Sequence, residues 1–395
     1  MNRLLVPVSS ALGAALIAGC APPGDDRPPP PPIVWEGEHI RFGTDEALGS
    51  VCAGTLPYAD SMAGYLAEVL GVDSPQLDVY WVPSEITAYC TDAGNPESSL
   101  GCASDGEMFS LYALHQHEMV HALRPDDLGY APLEEGLAEV FGDDWTSTAE
   151  IVGDEQEMFE IHDGAGALEN GSWVPLAGFF ASFIRARDGA DTLVELVHAT
   201  ELGGSFEDVR SAFVDVLGQP FEDAVRERDD TYLPCDHTYS RDNGLDCAQQ
   251  AVPGPAAPED SVVIDIPLDC AQDDVLGPRR GERWKTIVIE IPETGVYILG
   301  ADKLGGLEPG SLRFRRCGQS CFEEFSAFTL ILPEGATMLL NPVDAPPPIG
   351  EPMYSEVGCI AAGRYTVRAA VVDDDDGSFQ LRIARQEGDE CDFLD

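Results

Sequence analysis

Residues 117–121 read His-Glu-Met-Val-His, and residues 131–141 read Ala-Pro-Leu-Glu-Glu-Gly-Leu-Ala-Glu-Val-Phe. On a helix, side chains four apart share a face, so His117 and His121 can hold one metal ion together. Glu118 lies about 100° further round, close enough to reach a water on that metal. Two imidazoles suit zinc, and a neighbouring carboxylate can act as a general base. A surface helix with two ordinary histidines would spell the same five letters, so the flanks decide. Ser110 can cap a helix that Leu111 begins, and Pro125 stops it just past Arg124. The motif then sits mid-helix. His115 falls about 160° from His117 around that helix and is set aside as a ligand.

Two histidines leave a zinc site short of a protein ligand, and the second stretch offers one. Pro132 fits the first turn of a helix. Leu133, Leu137, Val140 and Phe141 form an apolar stripe, Glu135 and Glu139 project together from the other side, and Glu134 sits at the stripe's margin. Glu135 is the candidate third ligand. Glu139, one turn on, is the candidate to take the ring N–H of a ligating histidine. In a chain with 71 acidic residues, two glutamates at helical spacing are unremarkable. Spacing alone therefore leaves Glu135 open between ligand and solvated acid.

The sequence HEMVHAL, with Glu135 following His121 after thirteen residues inside APLEEGLAEVF, resembles the gluzincin metallopeptidases. These include thermolysin, the zinc aminopeptidases and the bacterial peptidase MA-like group. The resemblance implies zinc held by His117, His121 and Glu135, with Glu118 as the base. It continues through 175–189, similar to the family's helix ending in a glycine, and through 205–213 and 217–223, similar to its closing helices. It spans roughly residues 38–230. The family often carries an aromatic residue before its Glu-Gly pair, where this chain has Pro132 and Leu133. No residue matches the tyrosine or histidine that steadies the oxyanion in the family.

At 395 residues the chain has room for two cores, and its 44% apolar content is that of a folded protein. A net charge of −49 argues against nucleic acid and anionic membrane surfaces as partners. Residues 1–20 read as an export signal: Arg3 is the short positive start and 4–18 the apolar core, too short for a lasting membrane span. Leu16-Ile17-Ala18-Gly19-Cys20 resembles the lipobox of bacterial lipoproteins, which implies acylation at Cys20; an ordinary signal peptide with a chance cysteine is the competing reading. Ala21 follows rather than Asp, which by that family's sorting rule implies the outer membrane, facing the periplasm or the surface. Acyl chains would anchor the chain there. Residues 21–36, with five consecutive prolines from Pro28, are expected to be a stiff tether.

Alternation in 38–43 and 77–82 predicts strands, and 56–70 predicts a helix closed by Gly71. Residues 101–109 are expected to supply an edge strand, which in the gluzincins pairs with the substrate backbone. From 110 to about 228 the pattern is helical. His162 and His198 are read as ordinary surface or core residues. Residues 233–258 read as a linker, after which the period changes to two: 262–266, 286–291, 296–299, 328–332, 365–371 and 379–383 read as the strands of a β-sandwich. Its expected role is binding or stabilisation. The acidic run 373–376 is read as a solvated turn, with a calcium site as the alternative.

Eleven cysteines less Cys20 leave ten, which suits five disulfides in an oxidising compartment. Cys90–Cys102 and Cys235–Cys247 are the expected local pairs, the first bracing the loop before the HExxH helix. Cys317 and Cys321 either close a tight loop or pair elsewhere.

The expected fold class is α+β: signal (1–20), tether (21–36), gluzincin-like metallopeptidase domain with a small N-terminal sheet and a helical region (37–232), linker (233–258), all-β sandwich (259–395). The expected function is an exported zinc peptidase acting on peptide or protein substrates. A non-catalytic surface-binding lipoprotein on a degenerate peptidase scaffold is the alternative.

Overall fold

A computed structural model of the chain describes residues 27–73, 76–90, 100–104, 106–124, 129–142, 155–161, 173–200, 204–232, 244–258, 260–304, 310–318, 327–332, 354–372, 377–387 and 391. The architecture is α+β. The first part holds strands β1 (Ile33–Glu36), β2 (Ile40–Gly43), β3 (Leu77–Trp81), β4 (Gly101–Ser104) and β5 (Glu107–Ser110), with helices α1 (Thr55–Leu70) and α2 (Ile86–Tyr89). The sheet order is β1-β2-β3-β5-β4. β2, β3 and β5 run parallel, while β1 and β4 are antiparallel to their neighbours. Helix α1 packs Met62, Leu66 and Leu70 into the core and ends as expected at Gly71, whose φ of 65° few other residues tolerate. Each such fully buried aliphatic side chain contributes about 1.5–3 kcal/mol.

The tether assignment is corrected at its C-terminal end. Ile33–Glu36 is a strand paired with β2. The prolines before it are held through their carbonyls beside a stack of rings, in which Tyr80 and Tyr89 lie against Phe109 with ring centroids 4.9 and 4.6 Å apart. The Tyr89 hydroxyl donates to Pro29 O (3.3 Å), and the Thr44 N–H donates to Pro32 O (3.2 Å). Proline has no backbone N–H to donate, so the run is held here through its carbonyls.

Eight further helices follow: α3 (Gln116–Ala122), α4 (Ala131–Phe141), α5 (Glu155–Ile161), α6 (Val174–Asp188), α7 (Ala190–His198), α8 (Phe206–Leu217), α9 (Phe221–Thr231) and the short α10 (Gly244–Cys247). α4 lies against α6 because Gly136 has no side chain: a Cβ there would sit 2.7 Å from Ala177 O and 2.8 Å from Ala181 Cβ. Aromatic rings fill the space between α5, α6, α8 and α9, with Phe159, Phe180, Phe213 and Phe221 at its centre.

The second part is a two-sheet sandwich. Its strands are β6 (Ala251–Pro253), β7 (Ser261–Pro267), β8 (Leu276–Arg279), β9 (Glu282–Ile291), β10 (Gly295–Leu304), β11 (Gly310–Arg316), β12 (Ala327–Leu332), β13 (Tyr354–Ile360), β14 (Gly363–Val372) and β15 (Ser378–Arg385). One sheet has the order β13-β10-β15-β7, the other β12-β11-β14-β9-β6, with β8 pairing β9. Ile266, Leu299, Leu381, Ile289, Leu312 and Val367 from both sheets share one core. β11 carries inward Leu312 and Phe314 between arginines, a pattern the sequence reading passed over.

The two parts are joined by more than a linker. β14 is buried along nearly its whole length, not only on alternate residues. Its outward Ala370, with Trp284 and Leu276, belongs to the same core as α1, α3 and α4. The described part of the expected linker is α10 and β6. Asp246 on α10 accepts from the Tyr58 hydroxyl of α1 (3.1 Å). Disulfides are present. Cys90–Cys102 forms as expected. Cys247 pairs with Cys317 rather than Cys235, which corrects that local guess. Cys52–Cys270 ties the two parts across 218 residues. Cys20, Cys235, Cys321, His162 and 373–376 lie outside the described residues. Among the described residues no helix is long and apolar enough to cross a membrane.

Candidate metal centre

Helix α3 is shorter than the sequence suggests. It starts at Gln116, and His115 is its N-cap. Ser110 does not cap it. Ser110 closes strand β5, its hydroxyl accepts the Tyr112 N–H (2.9 Å), and it bonds His115 Nδ1 (2.9 Å). A serine oxygen offered an N–H two residues on makes a turn, and the chain needs that turn to leave the sheet. His117, Glu118 and His121 therefore occupy the first two turns of α3, all buried.

All of α4 after its first residue, Ala131, is buried as well. The stripe-and-opposite-face picture of this helix is thus corrected: it has no solvent face, and each of its three glutamates meets the imidazoles of α3. Glu135 Oε2 lies 3.0 Å from His117 Nε2, and its Oε1 lies 3.8 Å from His121 Nε2. The two Nε2 atoms are 3.3 Å apart. Ligand atoms of His117, His121 and Glu135 all fall within 4.8 Å of one another. Glu139 Oε1 lies 3.3 Å from His117 Nδ1, within reach of that ring nitrogen. Glu134, which the sequence reading left at the margin, does the same for His121: its Oε1 lies 3.3 Å from Nδ1. Its Oε2 accepts from Arg124 Nη1 (2.6 Å) and from the Gly129 N–H (3.0 Å). The Glu-Glu pair at 134–135 was the available signal: on a fully buried helix, adjacent carboxylates each require a partner.

Ionised carboxylates only accept, so each Nδ1 facing one carries a proton, which leaves each Nε2 as the atom that would face a bound cation. His117 Nε2 meets the Glu135 carboxylate as well, so this buried cluster calls for positive charge, whether a proton on the imidazole or a metal ion. Two imidazoles and one carboxylate are a donor set that zinc accepts, so the residues present fit that ion. Burial pushes the His117 pKa down, but Glu135 and Glu139 outweigh it and hold the group well above 6.5, the same demand for positive charge. Burial also raises Glu118 above its ordinary 4.5, against the lowering effect of His117 and His121. Glu134 is held below 4.5: burial works against ionisation, and His121, Arg124 and the Gly129 N–H overcome it.

Strand β4, last in the sheet order, passes directly beside Glu118. A Cβ on Gly101 would sit 2.6 Å from Glu118 Cγ and 2.9 Å from His115 Nδ1. His115 is buried 6.2 Å from the His117 ring, centroid to centroid, and is no member of the ligand cluster. His198 is the exposed last residue of α7.

No protein-family model matches the chain. No curated protein matches it either. Solved structures similar to part of it include the pre-peptidase C-terminal domain of a collagenase from Bacillus anthracis, at 6% identity, 34% of this chain, 97% of that chain and a TM-score of 0.18. Another is a carbohydrate-binding module of Cellvibrio mixtus lichenase 5A in complex with cellotriose, at 16% identity, 29% of this chain, 78% of that chain and a TM-score of 0.17. A third is the C-terminal carbohydrate-binding module of a marine laminarinase from Zobellia galactanivorans, at 14% identity, 31% of this chain, all of that chain and a TM-score of 0.19. Likeness at these TM-scores carries no argument about function.

Proposed function

We propose that this chain is an exported zinc-dependent peptidase of gluzincin type, tethered to the cell envelope through a lipid on Cys20. The observation that carries the reading is the paired second layer: Glu139 and Glu134 each fix one imidazole so that both Nε2 atoms meet Glu135. A merely structural site needs ligands but not Glu118, a buried carboxylate beside the cluster with no place in it. Zinc, when bound, polarises a scissile carbonyl and acidifies a water. His117, His121 and Glu135 hold the ion. Glu118 takes the proton of the attacking water and returns it to the leaving amine. Glu118 is itself only 3% exposed, which keeps bulk water from that proton. β4, beside Glu118, is the strand along which an extended peptide backbone would be aligned.

The test is Glu118→Gln in the signal-free chain. Zinc content is expected to stay at the wild-type level while cleavage of an unfolded protein substrate falls by about 10²–10⁴-fold. Cleavage at the wild-type rate would sink the mechanism. The alternative, a surface-binding lipoprotein on a degenerate peptidase scaffold, predicts no cleavage by the wild type and none abolished by a chelator.

A further inference from the structure

We infer that the β8–β9 hairpin of the sandwich is a working part of the metal centre, with Arg279 as a positioning residue for the first turn of α3. The functional consequence rests on the zinc-peptidase reading; the positioning itself does not.

Residues 270–284 are fastened to the helical part at every level. Cys270 is bonded to Cys52. The N–H groups of Cys52, Ala53 and Gly54 donate to the carbonyls of Gly277 (2.8 Å), Cys270 (2.8 Å) and Val275 (3.1 Å). The Thr55 hydroxyl donates to Gly277 O (3.0 Å) and accepts from its N–H (2.9 Å). Leu276 and Trp284, at either side of the hairpin, are buried in the core that holds Met119, Val120 and Leu133. This is an anchored bracket, and Arg279 is its tip.

Arg279 Nη1 donates to the Gln116 amide oxygen at 2.9 Å, with the two residues 6% and 1% exposed. The guanidinium also lies over the Tyr112 ring, 5.3 Å from its centroid, and Tyr112 meets the His115 ring edge-on at 5.6 Å. Gln116 opens α3 and immediately precedes the ligand His117. No side-chain cap holds that helix end. Seven residues are too few for a helix to stand by its own hydrogen bonds, so its start is set by what grips it. Ser110 holds the N-cap His115 from the sheet, and the sandwich holds Gln116, the first helical residue. A buried cation costs desolvation, and near the positive end of a helix it gains nothing from the dipole. Its use here is geometric: one guanidinium N–H holds the Gln116 amide oxygen, and with it the direction of His117 and Glu118.

The experiment uses the full signal-free chain with cobalt(II) as probe. It compares Arg279→Met and Arg279→Lys with Val367→Ala, a substitution in the sandwich core that lowers stability without touching α3. Arg279→Met is expected to lose about tenfold of the amide-exchange protection of α3, with α6 unchanged. It is also expected to shift the visible cobalt spectrum, weaken cobalt binding about tenfold, and lower kcat with KM little changed. Arg279→Lys, which keeps a cation and a donor, is expected to restore part of each. If α3 exchange and the cobalt spectrum of Arg279→Met match those of Val367→Ala, the hairpin is only a latch between domains and the inference is wrong. A wild type that binds no cobalt would overturn the zinc reading instead, and the exchange measurement on the metal-free chain would still decide the role of Arg279.

Discussion

Glu134→Gln separates what the second layer does for the fold from what it does for the metal. Glu134 and Arg124 are both essentially excluded from solvent and lie 2.6 Å apart. Removing one partner of a buried ion pair costs about 3–5 kcal/mol, because the remaining charge keeps its desolvation penalty. Glutamine retains an acceptor for Arg124 Nη1 or the Gly129 N–H, so the loss falls toward that of one charge-assisted hydrogen bond, about 1.5–3 kcal/mol. Glu139→Gln is the contrast: its partner at 3.3 Å is an imidazole rather than a guanidinium. It is expected to cost about 1 kcal/mol. Both variants lose the carboxylate on an Nδ1, so both are expected to bind zinc 10–100-fold more weakly. Urea unfolding of the metal-free proteins measures the first quantity, and titration against a competing chelator the second. Equal stability losses for the two variants, or zinc affinity unchanged in both, would refute the assignment of these two glutamates.

Two further consequences are measurable. Gly136→Ala places a methyl 2.7 Å from Ala177 O, a backbone atom that cannot swing aside; α4 and α6 must part, which costs about 1–3 kcal/mol in urea unfolding, and zinc affinity falls because Glu135 rides on the same turn. The Ser205 hydroxyl and N–H hold Asp208 below its ordinary 3.8 in a reciprocal cap at the start of α8. A depressed pKa contributes stability that is present above the unfolded value and lost as pH falls through the folded one. The melting-temperature gap between wild type and Ser205→Ala is therefore expected to be full at neutral pH and to narrow below about pH 4 to the part contributed by the Asp208 N–H bond to the Ser205 hydroxyl; a gap independent of pH would contradict the carboxylate half of the cap.

Much of the site was legible because its signal is local. Four-residue spacing put His117 and His121 on one face, and the same spacing linked Glu135 to Glu139. Glu134 was missed because its role depends on burial of α4 on every side, which comes from α3, α6 and the sheet and leaves no periodic mark. Ser110 misled because the same hydroxyl chemistry serves a cap or a turn, and only the position of the sheet decides which. The proline run reads as a stiff tether because the groups that hold its carbonyls, the Tyr89 hydroxyl and the Thr44 N–H, lie well apart from it in sequence. The interface between the two parts was the least legible. On β14 its outward residues are Thr366, Arg368 and Ala370, a mixture that reads as solvent-facing although all three are buried. Cys247 had a cysteine twelve residues away and bonds one seventy away instead, since strand β11 carries Cys317 back to α10.

The most direct test of the account is the zinc content per chain of the soluble form beginning after Cys20, purified without a metal-affinity tag. The predicted result is about one zinc per chain, lost in Glu135→Ala. No zinc, even after incubation with the ion, would contradict the peptidase reading and leave a binding lipoprotein built on a peptidase-like scaffold.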